Sequence, residues 1–508
     1  MKSRTENSAM NFAASAASQI ISIVLSLFSR TVFIKTLGED YLGINGLFSN
    51  IITVLSLAEL GIGTAIVYSM YAPIVQKDRK KIAALVNYYK TLYGSIAIIV
   101  TIIGLAIFPF LDFFINLDTE IPNVKYYYLL FLAQTVSSYL IVYRSSILTA
   151  DQKGYLITKN TVIGNFLSTI LQIILLLTTH SYGLYTATQI IVGLLVNYIN
   201  SRAAVKQYPY ILEKEQLEKE EKKKIWINIR SMFSYKVGSV ILNNTDNLLI
   251  SKLVSTTVLG FYSNYTLIIA KASSVVNLIF SSLQASLGNY NADNKDGNLY
   301  FMFKVISFIE YSVYAFCCIC FMLLMNDFIT IWVGERFVLS SEVLWICVVN
   351  FYIQGVLYPI WCYRNTTGLF RDTKFMMFFA AGINLILSIF LGMYCGLFGI
   401  LVSTAIARLC TNMWYEPYIL FKRYFSEAVS KYYFNEFLRA VKIFGFIVLS
   451  QCLFSVVGIQ GIYLSFFIKI LYCVTVPIFL LWLENRRKDE YKYIKGKAYD
   501  LIKKMRKT

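Results

Sequence analysis

Apolar runs of about 20 residues follow one another along almost the whole chain, separated by short polar breaks. A helix needs about that length to cross the hydrocarbon of a bilayer. The runs are continuous rather than alternating, which excludes a membrane barrel. Fourteen spans are read. The first half carries 9–35, 41–71, 82–109, 124–150, 155–179 and 182–204. The second half carries 229–253, 257–288, 300–325, 341–367, 373–394 and 397–421, and two more follow at 434–458 and 461–484. The predicted fold class is an all-α polytopic membrane protein. Met1 to Met10 is polar, and the first run is too long and lacks a small-residue cleavage site, so it reads as a retained span. With seven prolines in the chain, most spans are expected to run unbroken.

The second half repeats the first. Lys35 and Leu42-Gly43 recur as Lys252 and Leu259-Gly260, displaced by 217 positions. Asp112-Phe113 recurs as Asp327-Phe328, Gly183 as Gly399, and Arg144 finds a counterpart in Arg364, all at nearly the same displacement. Six spans per copy keep both copies in one orientation, so the repeat is parallel about an axis along the membrane normal. The expected organisation is an N-lobe (1–204), a charged cytoplasmic linker (205–228), a C-lobe (229–424), spans 13 and 14 (425–485) and a basic cytoplasmic tail (486–508). The two lobes are expected to be pseudo-symmetric six-helix bundles. The linker, with EKEQLEKEEKKK inside it, reads as a solvated helix.

Charge changes the picture in one respect. The 508 residues carry a net charge of +18 but only 15% charged residues. Lys35, Lys125, Lys252 and Arg336 are the cations assigned to loops on the side away from the termini; the other loop cations share the termini's side. That bias places both termini in the cytoplasm. The tail from Arg486 to Lys507 is expected on anionic membrane lipid, not on nucleic acid. The nine cysteines all lie in apolar second-half spans without metal-ligand spacing, and read as small buried apolar residues. His180 sits alone at a span edge, the outer loops are short, and no phosphate-cradling Gly-Lys loop occurs. A membrane enzyme and direct ATP drive are both disfavoured. Tyr88-Tyr89, Tyr126-Tyr127-Tyr128 and Tyr432-Tyr433 read as interface belts.

Ionisable groups inside spans are costly and mark function or pairing. Glu59, Lys90, Asp246, Lys271, Glu310 and Arg408 are deep; Arg30, Arg144 and Arg364 lie about a turn and a half from a span end, where snorkelling to headgroups is an alternative to a cavity role.

The phrases FSRTVFIKTLGEDYLGINGLFSNII, LAELGIG, NNTDNLLISKLVSTTVLGFYSNY and NDFITIWVGERF resemble the MOP exporter superfamily, and within it the polysaccharide branch of Wzx-type flippases. The resemblance covers nearly the whole chain. It implies translocation of an undecaprenyl-pyrophosphate-linked oligosaccharide across the bacterial cytoplasmic membrane, for capsule, exopolysaccharide or O-antigen synthesis. Polysaccharide polymerase and other assembly proteins would be its partners.

An anionic head group needs cations along its path. The candidates are Arg30, Lys90, Arg144, Lys271 and Arg364; the rival reading pairs Lys90 and Lys271 with Glu59 and Glu310 as structural salt bridges. Asp246 among amides, with Asn243, Asn384 and Thr404, is the candidate site for a coupling Na+ or H+. A structural Asp246, neutral or paired with Lys252, is the alternative. Rival functions within the fold are a lipid II or teichoic-acid precursor flippase and a cation-coupled drug exporter, though a drug-cation cavity should be acidic.

Overall fold

The computed structural model describes residues 4–496 apart from 60–61, 118–120, 152, 294–298, 368–369 and 426. The side chains at 4–18, 20, 58, 64–65, 228, 230–236, 239, 241–243, 278–279, 281–293, 365–367, 370–372 and 374 also lie outside the described residues. The described chain is helical, without strands. Its helices are α1 (Arg4–Leu37), α2 (Glu39–Leu55), α3 (Ile62–Val75), α4 (Arg79–Ile107), α5 (Leu111–Phe114), α6 (Val124–Val142), α7 (Ser146–Ala150), α8 (Gly154–Thr179) and α9 (Tyr182–Gln207). Then come α10 (Lys219–Leu249), α11 (Thr256–Asp293), α12 (Leu299–Trp332), α13 (Ser341–Thr367), α14 (Phe370–Cys410), α15 (Asn412–Tyr424), α16 (Val429–Val457) and α17 (Ile462–Asn485).

All fourteen expected spans fall on these helices. Eight helical segments among the described residues are long and apolar enough to cross a membrane. The protein is a multi-pass membrane protein. The expected spans 41–71 and 124–150 are broken inside, neither at a proline, and two of the turns between expected spans are made by glycine. Gly38 (φ 89°) separates α1 from α2, and Gly396 (φ 56°) interrupts α14. Both positions need a left-handed or otherwise positive φ that glycine adopts without strain. The expected span 41–71 is two helices joined by a tight turn, Ser56–Glu59. The expected span 124–150 tightens at Tyr143–Ser145 between α6 and α7. A wide turn, Ile250–Val254, follows α10.

The chain divides into two compact units, Val24–Gly260 and Met1–Ile23 with Phe261–Thr508. These boundaries do not coincide with the lobes expected from the repeat, because α10 packs on α2 and α3 within the first unit. In that unit α4 packs on α6, and α6 and α8 both pack on α9, around a core with Ile44, Leu47, Phe48, Tyr93 and Tyr128. The expected solvated linker is also held here. Ile211 and Leu217 are buried, and Asn87 Nδ2 on α4 donates to the carbonyls of Glu213 (2.6 Å) and Glu215 (3.2 Å). The helix there starts only at Lys219.

In the second unit α12 and α13 are central and mostly buried along their apolar stretches, whereas α16 and α17 are mostly exposed along theirs. The outer pair therefore presents apolar faces, such as Leu449, Val456 and Phe467, of the kind lipid covers. Phe303, Tyr363, Phe421, Phe425 and Tyr432 form an aromatic core where α12, α13, α15 and α16 meet. Cys318, Cys347, Cys362 and Cys473 are buried as expected. Cys395, Cys410 and Cys452 instead lie exposed on helix faces.

The Leu-Gly motif of the repeat has a structural reason. A Cβ on Gly43 would lie 2.0 Å from the carbonyl oxygen of Thr256, and one on Gly260 would lie 2.6 Å from the carbonyl oxygen of Glu39. Glu39 and Thr256 are themselves 217 positions apart. Thr257 Oγ1 donates to Asp40 Oδ1 at 2.6 Å in the same contact. The two copies of the motif therefore meet reciprocally within the first unit, as a two-fold contact requires.

Candidate functional site

Two polar groups inside the first unit, Glu59 and Arg144, sit at helix discontinuities. Glu59 ends the tight turn after α2 and accepts a hydrogen bond from Tyr93 of α4. Lys90, three residues before Tyr93, is exposed on α4. The rival pairing of Glu59 with Lys90 is therefore not formed. Arg144 occupies the tight turn between α6 and α7. Its Nε donates to Tyr143 Oη at 3.0 Å, and it lines a cavity of about 650 Å³ with Tyr198, Ser201, Arg202 and Lys206.

Arg30 has the most informative surroundings. It lies beside Tyr185 of α9, close enough for the guanidinium charge to act on the phenol. Tyr185 belongs to an aromatic cluster. Phe33 is edge-on to it at 5.1 Å, and Tyr182 lies 4.8 Å from Tyr127, 5.3 Å from Tyr41 and 6.0 Å from Phe33 between ring centres. Tyr182 is buried, with its hydroxyl donating to Asn45 Oδ1 at 3.1 Å. Arg30, Tyr41, Tyr127 and Tyr185 remain half-buried. A cation thus stands beside several tyrosines that offer flat apolar faces with polar tips. Sequence reasoning missed this cluster. Tyr127 was expected in an interface belt, and Tyr128 of the same run is fully buried, donating to the carbonyl of Gly104 at 3.0 Å. The available signal was Tyr182 and Tyr185, three apart on one helix face.

Outside the spans, Asp151 and Lys153 form an ion pair at 2.7 Å, to which the Tyr208 hydroxyl is also bonded. Lys153 and Tyr208 together hold the Asp151 carboxyl below its ordinary range, and the same contacts push the Lys153 ammonium up.

In the second unit, Lys271 Nζ donates to Ser22 Oγ at 3.4 Å rather than to Glu310. Arg364 is buried and its Nη1 donates to both oxygens of Glu416 at 3.2 Å; Asn412 Nδ2 donates to Glu416 Oε1 at 2.6 Å. Arg364 and its repeat counterpart Arg144 are therefore used differently, one within a buried ion pair and the other at a cavity. Snorkelling does not describe Arg364.

Of the candidate ion ligands, Asn384 and Thr404 are brought together. Asn384 Nδ2 donates to Thr404 Oγ1 at 2.9 Å and to Ser388 Oγ at 3.3 Å, with all three residues buried. Ser388 was missed, although its spacing of four from Asn384 places both on one helix face. Asp246 belongs to the first unit, half-buried on α10 beside Asn247, whose amide donates to Asn50 Oδ1 at 3.0 Å. The Asn243 side chain lies outside the described residues.

Comparison with solved structures aligns nearly the whole chain. It is similar to the lipid II flippase MurJ in an inward closed conformation (TM-score 0.68, 14% identity, 93% of this chain and 98% of that one). An inward-facing multidrug-resistance MATE transporter of the MOP superfamily matches with TM-score 0.63 and 12% identity, over 80% of this chain and 96% of that one. The fold is that of the MOP-superfamily transporters. A further transporter of this fold, from Pyrococcus furiosus and described by the reversed polarity of its binding pocket, matches with TM-score 0.52 and 12% identity, over 79% of this chain and 93% of that one. No protein-family model and no curated protein sequence matches the chain. These neighbours are described as a flippase and as transporters.

Proposed function

We propose that this chain is a flippase that moves an undecaprenyl-pyrophosphate-linked oligosaccharide across the bacterial cytoplasmic membrane, both termini being cytoplasmic, by ion-coupled alternating access. The observation that carries the reading is Arg30 beside Tyr41, Tyr127, Tyr182 and Tyr185. A guanidinium offsets phosphate charge through charge-assisted hydrogen bonds, and tyrosines match the apolar faces and hydroxyls of sugar rings. Drug cations would be repelled there. Lys271 is the second head-group candidate. Arg144, Arg364 and Lys90 enter only as supporting cations, with Lys90, exposed on α4, below Arg144 at its cavity. Asp246, Asn243, Asn384 and Thr404 are the proposed coupling set for Na+ or H+, and the polysaccharide polymerase is the proposed downstream partner.

The likeness to MurJ favours one second reading, a lipid II or teichoic-acid precursor flippase. Proteoliposomes loaded with either a lipid-linked oligosaccharide or lipid II, with outer-leaflet glycan scored by an impermeant probe, separate the two. The oligosaccharide should cross, and Arg30→Ala or Tyr185→Ala should lose transport while inserting normally. Full activity in Arg30→Ala, or transport of lipid II alone, would reject the reading. Asp246→Asn should remove dependence on an ion gradient; unchanged dependence rejects the coupling role.

A further inference from the structure

Four buried polar atoms crowd one junction of the second unit. Ser307 Oγ and Glu310 Oε1 on α12, Tyr352 Oη on α13 and Glu436 Oε2 on α16 have no hydrogen-bond partner among the described residues. Their residues are 5%, 1%, 5% and 8% exposed. Buried polar atoms are nearly always bonded, so four together need a common cause. Glu310 and Tyr352 each lie within electrostatic reach of Glu436 and Arg439. Ser307 stands one turn before Glu310 and, with Glu436 and Arg439, lines a cavity of about 290 Å³. Lys304, Lys488 and Glu490, from the ends of the unit's helices, line the same cavity.

The bonded pairs there leave Glu310 over: Lys304 is held by Glu490 at 3.6 Å, and Lys488 faces Glu484 and Glu490. Arg439 Nη1 donates to Glu436 Oε1 at 2.6 Å, which makes that pair neutral. Lys442 is held by Glu484 at 2.7 Å, and Tyr311 on α12 donates to the other Glu484 oxygen at 3.2 Å. Glu310 has no such cation. The remaining groups that act on it or feel its charge are Tyr314 and Cys318 on its own helix, Tyr352 on α13 and Tyr432 on α16, all neutral near pH 7. A lone carboxylate this deep neutralises by taking a proton rather than staying charged. A metal cation fits less well, because Arg439 already supplies the positive charge beside Glu436.

We propose that Glu310 is a proton-binding site that exchanges its proton with water through the cavity at Ser307 and Glu436. The bound proton converts a carboxylate into an O–H donor at a junction where Glu436 Oε2 lacks one. Release transfers H+ to cavity water and adds one negative charge between α12 and α16, where Arg439 is already bonded to Glu436. The packing of α16 on α12 is then tied to occupancy of this site. The proposal does not rest on the transport reading, since it concerns one carboxyl and the helices around it.

Infrared spectroscopy on the full-length protein in lipid tests it. At pH 7 the wild type should show a protonated-carboxyl stretch that shifts in deuterium oxide. Glu310→Gln should lose that band, while Asp327→Asn, which removes a carboxylate bonded to Lys469, should keep it. Glu310→Asp keeps the acid on a shorter stem and should move the band's frequency. Absence of the band from the wild type, its persistence in Glu310→Gln, or an unmoved band in Glu310→Asp would each overturn the proposal. The wild-type and Glu310→Asp measurements decide even where Glu310→Gln does not purify.

Discussion

Replacing Gly43 by alanine places a methyl carbon 2.0 Å from the Thr256 carbonyl oxygen and 2.8 Å from its carbon. Close carbon–oxygen contacts settle at about 3.3–3.6 Å, so the two backbones must part by roughly 1.3 Å. Neither obstacle is a flexible side chain. Overpacking of this kind costs about 1–3 kcal/mol, and more where backbone must move. Alanine's helix propensity returns about 1 kcal/mol, so the variant should lose up to about 2 kcal/mol, and more where the backbones resist parting. Gly46, one turn further along α2, is the internal control. Its Cβ would meet Leu259 at 3.9 Å and 4.0 Å, ordinary contact distances. Gly46→Ala should therefore be neutral or gain up to about 1 kcal/mol. Thermal unfolding in detergent, at one scan rate, compares the two as apparent Tm. Gly260→Ala should resemble Gly43→Ala. The double variant should cost less than the sum, because one separation of the backbones relieves both clashes. A Gly43→Ala protein at least as stable as Gly46→Ala would refute the close approach, and with it the reciprocal meeting of the two motif copies.

Three further outcomes are expected. Glu416→Ala strands the buried Arg364 guanidinium and should cost about 3–5 kcal/mol, whereas replacing both by Met and Leu should cost much less; equal losses, read as apparent Tm, would show that the ion pair is not what the site depends on. The Asp151 carboxyl is depressed, so its contribution is full above the unfolded carboxylate value and is lost as pH falls through the folded one. The Tm gap between wild type and Asp151→Asn should be widest at neutral pH and close in acid, with the raised Lys153 sustaining the plateau until strongly alkaline pH; a gap that stays constant into acid contradicts this. Lys271→Ala should reduce transport with insertion unchanged, and undiminished transport would remove Lys271 from the head-group path.

The sequence carried the fold because span length and continuity are local properties, set by the water-to-hydrocarbon transfer of each segment. The Leu42-Gly43 and Leu259-Gly260 pairs were legible as a repeat, and the structure adds that they touch. The site was less legible, for a physical reason. A buried charge is read from sequence as one residue in an apolar run, but its role depends on which helix brings its counterpart. Arg364 finds Glu416 two helices on, and Glu59 finds Tyr93; neither spacing is periodic. What these positions do share is backbone irregularity. Glu59 lies in a tight turn, Arg144 in another, and Glu416 just after the break at Thr411. Asp246 comes just before the wide turn at Ile250. In hydrocarbon a broken helix is tolerated only where other groups satisfy the freed amides and carbonyls. Ionisable side chains and helix breaks are therefore expected to coincide in this protein, and a polar residue beside an unexplained break is a better site candidate than one in a straight helix. Lys90 and Lys271, inside the unbroken α4 and α11, have no break beside them, and by that argument Arg144 stands above both.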